Sequence, residues 1–211
     1  MIILFGHTKG GVGKSTLAFQ VAAHLAREGR VLLVDADEQA SATGLAMIRA
    51  EAGIKPAITA VELRDKAVRQ QVPELGKNYE FVVIDAGGRN TASLRAALSV
   101  ADLLIVPVPP QDLDIWALDN LAEILAEARG FREIDALTVL NRGFPQGTDN
   151  GEAAEILAER DDMTWSDVVV INRKAWSKAQ RAGETVVEFG KDSQASNELR
   201  LVVDLITERM P

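Results

Sequence analysis

Short apolar runs alternate along this chain with longer segments in which apolar residues recur every three or four positions. A short run bounded by polar residues predicts a strand that is buried on both faces, as in a covered parallel sheet. The spaced pattern predicts amphipathic helices, and its first example puts Leu17, Val21 and Leu25 on one face. The predicted strands cover residues 2–5, 31–34, 81–84, 103–108, 136–140 and 168–171.

The predicted helices lie between and after these strands. The first ends near Gly29, and later ones cover about 112–130, 149–160, 173–182 and the stretch around Leu199. Segment 41–76 is less regular, and Pro56 and Pro73 are expected to interrupt its helical stretches. Alternation of strands and helices predicts an α/β fold with a mostly parallel twisted sheet and helices on both faces. The length of 211 residues suits one domain over 1–211.

Composition narrows the classes of protein that are compatible with this fold. The formal net charge is −8 at pH 7, so a contact with nucleic acid would require a local basic patch. There is no cysteine, which excludes disulfide and thiolate chemistry. We find neither a signal-peptide pattern nor an apolar run long enough to cross a bilayer. These features predict a cytoplasmic protein without a membrane contact.

A glycine-rich turn separates the first strand from the first helix. Its residues, which we call the phosphate loop, are Lys9, Gly10, Gly11, Val12, Gly13, Lys14, Ser15 and Thr16. Glycines allow backbone N–H groups to converge on an anion, and the helix N-terminus adds its positive dipole end. Lys14 is placed to reach β- and γ-phosphates, and the Ser15 hydroxyl is placed to bind Mg²⁺. The loop therefore predicts a nucleoside triphosphate site with bound Mg²⁺.

Carboxylates follow two of the predicted strands. Asp85 ends the run 81–84 in a Walker B pattern, which predicts a metal contact made directly or through water. Asp35 and Asp37 follow the second run, and strand alternation would put both on the same side of the chain. One of them could hold the water shell of the metal, and the other could orient the attacking water. The alternative is that both are solvated turn residues.

A basic segment lies in the last third of the chain. Between residues 172 and 182 the sequence has Arg173, Lys174, Lys178 and Arg181 and no acidic residue. Helical spacing puts the last three on one face. This face could contact the phosphate backbone of DNA without sequence preference, or it could be an ordinary solvated face.

Histidines and tryptophans add no further predicted chemistry. His7 and His24 lack the spacing of metal ligands, so we interpret both as structural. The three tryptophans, Trp116, Trp165 and Trp176, are interpreted as packing residues.

The phosphate loop resembles the deviant Walker A motif of the ParA/MinD family of ATPases. The common pattern G-x-x-x-x-G-K-[ST] would need glycine at Thr8, whereas Lys9 followed by two glycines matches the deviant form. The resemblance covers nearly the whole chain and implies a P-loop NTPase fold and Mg²⁺-dependent hydrolysis of ATP to ADP and phosphate. It also implies that Lys9 reaches across a dimer interface to the nucleotide of the partner subunit. Lys9, Lys14 and Asp37 are the catalytic residues that it implies.

Three further segments carry the same resemblance. Residues 35–39 are similar to the D-x-D-x-Q switch of the family, in which the second aspartate, here Asp37, has the hydrolytic role. Glu38 stands where the family often has proline. The pair 87–88 is glycine where the family's second switch commonly has proline. Asn141 is similar to the family's adenine-reading asparagine and completes the implied ATP-binding set, although a plain turn residue is the alternative.

Within the family, the chain is most similar to the small ParA-type partition ATPases. Its phosphate loop begins at residue 9, so we expect no N-terminal helix-turn-helix domain. The resemblance implies a homodimer that forms on ATP binding and binds DNA non-specifically. A ParB-like centromere-binding partner would stimulate hydrolysis and release the DNA. We therefore predict a nucleoid-associated ATPase that partitions or positions plasmid or chromosomal DNA.

Three alternatives share the phosphate loop. A MinD-like membrane-cycling ATPase would need a basic, bulky apolar C-terminal helix, whereas residues 197–211 have mixed charge. An accessory ATPase of conjugative DNA transfer has the same fold and is poorly separated by sequence. A metabolic enzyme of the dethiobiotin synthetase type would need a small-molecule acceptor, and Lys9 argues against it.

Overall fold

A computed structural model describes residues 1–88, 92–112 and 115–210 of the chain. Seven strands in this part form one sheet in the order β3-β2-β4-β1-β5-β6-β7, and every neighbouring pair is parallel. The strands are β1 (Ile2–Phe5), β2 (Val31–Asp35), β3 (Thr59–Glu62), β4 (Phe81–Asp85), β5 (Leu103–Val108), β6 (Asp135–Gly143) and β7 (Thr164–Ile171). The predicted parallel α/β sheet is confirmed.

Helices cover both faces of this sheet. They are α1 (Lys14–Leu25), α2 (Ser41–Glu51), α3 (Lys66–Gly76), α4 (Ala92–Leu98), α5 (Ile115–Arg129), α6 (Asp149–Ala158), α7 (Lys174–Arg181), α8 (Val186–Phe189) and α9 (Ser193–Thr207). One apolar core lies under α1, α2, α7, α8 and α9, and the other lies under α3 to α6. Alternate residues of β1 enter opposite cores, Ile3 and Phe5 on one face and Leu4 on the other. Burial on both faces explains why β1 is uniformly apolar.

Two local predictions differ from the structure. The sequence pattern did not indicate β3, because it is an edge strand with exposed residues at both ends. Pro73 was expected to interrupt a helix, and it lies inside α3 instead. Within the described ranges, no helix is long and apolar enough to cross a membrane.

Strand register brings the predicted site residues to one edge of the sheet. Phe5, the last residue before the segment that leads to the phosphate loop, pairs with Asp85, and Asp85 pairs on its other side with Asp35. In open parallel sheets, ligands bind in the crevice outside the carboxyl ends of the strands. The fold therefore assembles the loop and both aspartates at the expected edge.

Candidate functional site

The phosphate loop lines an open cavity of about 950 Å³ at the carboxyl edge of the sheet, which we call the main cavity. Gly11 and Gly13 have φ angles of 77° and 98°. These left-handed conformations favour glycine, because a Cβ atom makes them strained. Gly13 is also the N-cap residue of α1, so the loop delivers its backbone directly to a helix N-terminus. This geometry can bind a phosphate group.

Lys14 is buried, and its Nζ donates a hydrogen bond to the backbone carbonyl of Lys9 at 3.0 Å. Burial lowers the pKa of Lys14, and the charges of Asp85 and Asp37 counteract this. The backbone N–H of Lys9 donates to Nδ1 of His7 at 2.9 Å, which agrees with the structural interpretation of that histidine. The ammonium group of Lys14 is thus held against the backbone at the start of the loop.

Asp85 is fully buried, and neither of its carboxylate oxygens has a hydrogen-bond partner within the described residues. Burial raises the pKa of Asp85 to about 7, the nearby Ser15 hydroxyl and the charge of Lys14 oppose this effect, and the charge of Asp35 adds to it. A buried carboxylate without a protein partner is costly unless a cation or a proton compensates it. Oxygen ligands suit Mg²⁺, which takes only one or two protein groups and completes its shell with waters and substrate phosphates. Asp85 and the hydroxyl of Ser15 therefore fit a Mg²⁺ ion.

The two aspartates after β2 have different surroundings. Asp35 is fully buried, and its oxygens accept hydrogen bonds from the backbone N–H groups of Asp37 at 3.1 Å and Thr43 at 2.9 Å. Its carboxylate thus ties the loop after β2 to the first turn of α2. Asp37 lines the main cavity, with one oxygen accepting from the backbone of Gln39. The metal contact that the sequence suggested for Asp35 stays a prediction, and these backbone contacts do not favour it.

The glycine pair after β4 packs directly on the two preceding segments. A Cβ atom on Gly88 would lie 2.6 Å from the Cα of Gly10, and one on Gly87 would lie 3.5 Å from an Asp37 carboxylate oxygen. Only glycine permits the first approach. Residues 87–88 therefore lie against both the phosphate loop and the Asp37 segment, as a second switch would require. Residues 89–91, which follow, lie outside the described residues.

Asn141 lies beneath the phosphate loop and is buried. Its Nδ2 donates a hydrogen bond to the backbone carbonyl of Val12 at 2.7 Å. The neighbouring Arg142 has a φ of 60° and lines the main cavity. The adenine contact of Asn141 stays a prediction, and the present contact of its amide is with the loop.

Other residues of the main cavity had no signal in the sequence. Gln180 reaches it from α7, and Asp65 and Ser93 reach it from the starts of α3 and α4. Asp65 has a φ of 49°, and its carboxylate accepts a hydrogen bond from the Ser93 hydroxyl at 3.1 Å. These residues come together only through tertiary packing, so no local spacing could indicate them.

Three of the four predicted basic residues line a second cavity of about 450 Å³, which we call the basic cavity. They are Lys174, Lys178 and Arg181. Lys191, Phe189 and the acidic Asp192 also line it, and the Lys191 Nζ lies 5.0 Å from the centre of the Phe189 ring. The remaining predicted residue is engaged elsewhere: Nε of Arg173 donates to a carboxylate oxygen of Glu198 at 3.0 Å.

Two buried side chains hold residues 183–188, which we call the 183–188 turn. Gln20 of α1 donates to the carbonyl of Glu184 at 3.0 Å and accepts from the N–H of Val186 at 2.8 Å. Arg49 of α2 forms a two-pronged ion pair with Glu188, with both distances at 2.8 Å. The turn is thereby attached to the helix that follows the phosphate loop and to the helix that follows Asp37.

One tryptophan differs from its interpretation as a packing residue. Trp116 is 83% exposed on the first turn of α5, whereas Trp176 is buried as expected. The next residue, Ala117, accepts a hydrogen bond through its carbonyl from the Thr8 hydroxyl at 2.7 Å. A large exposed aromatic side chain therefore lies beside the start of the phosphate loop.

Family models match most of the chain. Residues 45–182, more than half of the chain, match the model described as ATPase MipZ. Residues 1–73 match the model described as AAA domain.

Similar proteins and structures agree with these matches. The chain is 28% identical to Maintenance of carboxysome distribution protein A (McdA) from Halothiobacillus neapolitanus, over 93% of this chain and 91% of that protein. It is 34% identical to the chromosome-partitioning ATPase Soj from Thermus thermophilus, over 59% of each. An ATP complex of Cyanothece McdA has a TM-score of 0.82 at 15% identity, covering 100% of this chain and 97% of that chain. The structure of the cell division protein MinD from Aquifex aeolicus has a TM-score of 0.73 at 18% identity, covering 100% of this chain and 98% of that chain.

Proposed function

This chain belongs to the ParA/MinD family of ATPases, and we propose that it is a ParA-type positioning ATPase that binds ATP at the phosphate loop and dimerises around it. The observation that carries the proposal is the arrangement at the main cavity. Lys14 of the loop lies near Asp85, a buried carboxylate whose oxygens have no hydrogen-bond partner within the described residues. A nucleoside triphosphate with Mg²⁺ would complete both features at once.

In this proposal the loop binds the phosphates of ATP through its backbone N–H groups, and Lys14 contacts the β- and γ-phosphates. Ser15 and Asp85 would hold Mg²⁺, which would neutralise negative charge on the phosphates. Asp37 orients the attacking water from its position beside Gly87. Asp35 acts indirectly, because its bonds to the backbone of Asp37 and Thr43 fix the position of that segment.

Two copies of the chain would face each other across their phosphate loops, so that Lys9 of one copy contacts the nucleotide of the other. Trp116 lies next to this face, because the Thr8 hydroxyl is bonded to the adjacent residue of α5. We propose that Trp116 is covered in the ATP-bound dimer.

The basic cavity is the proposed contact with DNA. Phosphate contacts by lysine and arginine give affinity without sequence preference. Lys191 extends the predicted set from the segment between α8 and α9, whereas the ion pair of Arg173 with Glu198 makes Arg173 a weaker candidate. Gln180 reaches the main cavity from α7, the helix that carries Lys174, Lys178 and Arg181, so one helix borders both cavities.

Cargo would be recognised by a partner protein rather than by this chain. Two cargo classes occur among the names of its relatives, carboxysomes and chromosomes. We propose that a ParB-like or functionally equivalent partner links the cargo to the DNA-bound dimer and stimulates hydrolysis. Co-purification from the native host, followed by an ATPase assay with each captured protein, would identify the class of cargo.

Binding to random-sequence duplex DNA is expected with ATP and to be much weaker with ADP or without nucleotide. Replacing Lys178 and Arg181 together by alanine should weaken binding equally on all sequences. The slope of log K against log salt concentration should fall by about 0.9 for each lost phosphate contact, about 1.8 in all. Fluorescence anisotropy over a salt series measures both quantities.

The matched control replaces Arg69 and Lys77, two exposed cations of or next to α3 on the other face of the sheet. An unchanged slope of log K against log salt concentration would indicate that the basic cavity is an ordinary solvated surface.

Quenching of tryptophan fluorescence by acrylamide is expected to fall when ATP, but not ADP, is added at a protein concentration that allows dimers. The reason is that Trp116, now 83% exposed, would become covered by the second copy. Trp116→Ala should remove this change and weaken the dimer about tenfold or more, the size typical of a central aromatic contact. The control is Phe131→Ala, which removes a 93% exposed aromatic residue beyond the far end of α5. A dimer that forms with Trp116 still fully quenchable would contradict the proposed face.

A further inference from the structure

We propose that Asn141 is a positioning residue of the phosphate loop, and that its side-chain amide fixes the conformation of the loop before any nucleotide binds. This inference rests on the proposed nucleotide site and adds a role there that the resemblance to the family does not imply. It differs from base reading, because a residue that shapes the loop affects every ligand that carries phosphates.

The hydrogen bond between Asn141 and Val12 is short and buried, and it joins residues that are far apart in the chain. Nδ2 of Asn141 lies 2.7 Å from the carbonyl oxygen of Val12, and the two residues are 129 positions apart in the chain. Asn141 is 5% exposed and Val12 is 1% exposed, so water does not compete for this bond. A buried carbonyl that loses its donor costs more than an exposed one, because it cannot be solvated. The amide of β6 therefore fixes the middle of the loop.

The same amide also occupies the space beside Gly13. A Cβ atom on Gly13 would lie only 2.1 Å from Nδ2 of Asn141. Gly13 has a φ of 98° and is the N-cap residue of α1, which begins with Lys14. Asn141 thus contacts both residues that precede Lys14. Through them it determines where the N–H groups of the loop and the stem of Lys14 point.

A local irregularity of β6 turns Asn141 towards the loop. The pairing of β6 with β7 shifts between Asn141 and Gly143, and Arg142 between them has a φ of 60°. Bulges of this kind are common next to active sites, where they change the direction of a side chain. In this case Arg142 lines the main cavity while the amide of Asn141 lies beneath the loop.

Binding of a ligand without a base separates positioning from base reading. We expect Asn141→Ala and Asn141→Leu to weaken the binding of ADP, GDP and inorganic tripolyphosphate by the same factor, about tenfold. The reason is that each variant removes one buried hydrogen bond. The leucine variant keeps the branching and the number of heavy atoms of the side chain, so a cavity does not explain a loss that both variants share. Thr138→Val is the control, since Thr138 is a fully buried polar residue of the same strand whose hydroxyl donates to the carbonyl of Thr164 rather than to the loop. Isothermal titration calorimetry at a temperature where all variants are folded measures the three affinities.

A second readout distinguishes positioning from a general loss of stability. If Asn141 acts through the space beside Gly13, Gly13→Ala should cost less tripolyphosphate affinity in the Asn141→Ala background than in the wild type. General destabilisation gives additive losses. Weaker binding of ADP with unchanged binding of tripolyphosphate would overturn the proposal in favour of base reading. Unchanged affinity for all three ligands would overturn it outright. A wild-type protein that binds no ADP would instead overturn the proposed function itself.

Discussion

Lys9→Ala is expected to lower the rate of ATP hydrolysis by about 10²–10³-fold, the usual loss when one group that stabilises developing charge is removed. In the proposed dimer, the ammonium group of Lys9 contacts the phosphates on the partner subunit. Affinity for nucleotide should change much less, because the loop and Lys14 remain. Lys14 contacts Lys9 through its backbone carbonyl, and alanine retains that carbonyl. Steady-state phosphate release and ADP titration measure the two effects separately.

Mixing two inactive variants tests whether Lys9 acts on the other subunit. Lys9→Ala subunits keep Asp37, and Asp37→Ala subunits keep Lys9. In a heterodimer, the site on the Lys9→Ala subunit would receive Lys9 from its partner and would be complete. An equal mixture should therefore recover about a quarter of the wild-type rate, because half of the dimers of a two-fold assembly are mixed and each has one complete site. A mixture as inactive as its components would contradict action across the interface.

Loss of a lysine elsewhere provides the control for this prediction. Lys77 is an exposed lysine whose ammonium pairs with Glu74, next to the end of α3. Lys77→Ala removes the same charge and should leave hydrolysis within about twofold of the wild type, since an exposed pair of this kind contributes little. Equal rates for Lys9→Ala and wild type would remove the basis for the deviant Walker A interpretation.

Most of the sheet could be predicted because its strands are buried on both faces. Six described strands coincide with apolar runs, and β1 was predicted with its observed bounds, residues 2–5. The edge strand β3 has no such run, because Thr59 and Glu62 are exposed and the residues between them are only half-buried. The other edge strand, β7, was predicted only over its last four residues, 168–171, where burial resumes, so apolar runs indicate an edge strand only where it is buried.

The phosphate loop was predictable for a similar local reason. Eight adjacent residues contain the whole pattern, so the loop needs no information about the rest of the fold. Strand alternation, in contrast, is not a sound basis for relating the two aspartates after β2. The strand ends at Asp35, and Asp37 lies in the following loop, so alternation does not relate their directions.

Contacts between distant segments had no signal in the sequence. The basic face of α7 was predicted from helical spacing, but Lys191 joins it only because α8 folds back beside α7. The direction of the Asn141 amide depends on an irregular pairing with β7 that no motif describes. Arg49 and Glu188 are 139 positions apart and were not singled out in the sequence.

That last pair leads to the largest effect on stability that we expect. Glu188→Ala should lower the free energy of unfolding by about 3–5 kcal/mol, because it leaves the charge of Arg49 buried without its partner. The Arg49 side chain is 1% exposed, so water cannot replace the carboxylate. The substitution also removes the Glu188 carboxylate oxygen that accepts a hydrogen bond from the backbone N–H of Thr185 at 2.8 Å. Urea denaturation followed by circular dichroism measures the loss.

Two variants show whether the cost comes from the uncompensated charge. Glu74→Ala removes a carboxylate from an exposed ion pair with Lys77 and should cost less than about 1 kcal/mol. Arg49→Met combined with Glu188→Met should recover part of the loss, because an apolar pair leaves no buried charge. Recovery is expected to be incomplete, since Arg49 also donates to the carbonyls of Pro56 and Gly183. A Glu188→Ala loss as small as that of Glu74→Ala would contradict the argument.

The difference in free energy of unfolding between the wild type and Glu188→Ala should depend on pH in a definite direction. Burial alone would raise the pKa of Glu188, but hydrogen bonds from Arg49 and Thr185 outweigh it, and the pKa is lowered from its ordinary value of 4.5. A carboxyl group with a depressed pKa stabilises the fold above its unfolded pKa, and this contribution is lost as the pH falls through the folded pKa. The difference between wild type and Glu188→Ala should therefore be constant near neutral pH and shrink below about pH 4.5. Because the pair joins α2 to the 183–188 turn, losing it should also loosen the basic cavity, whose residues lie on both sides of that turn.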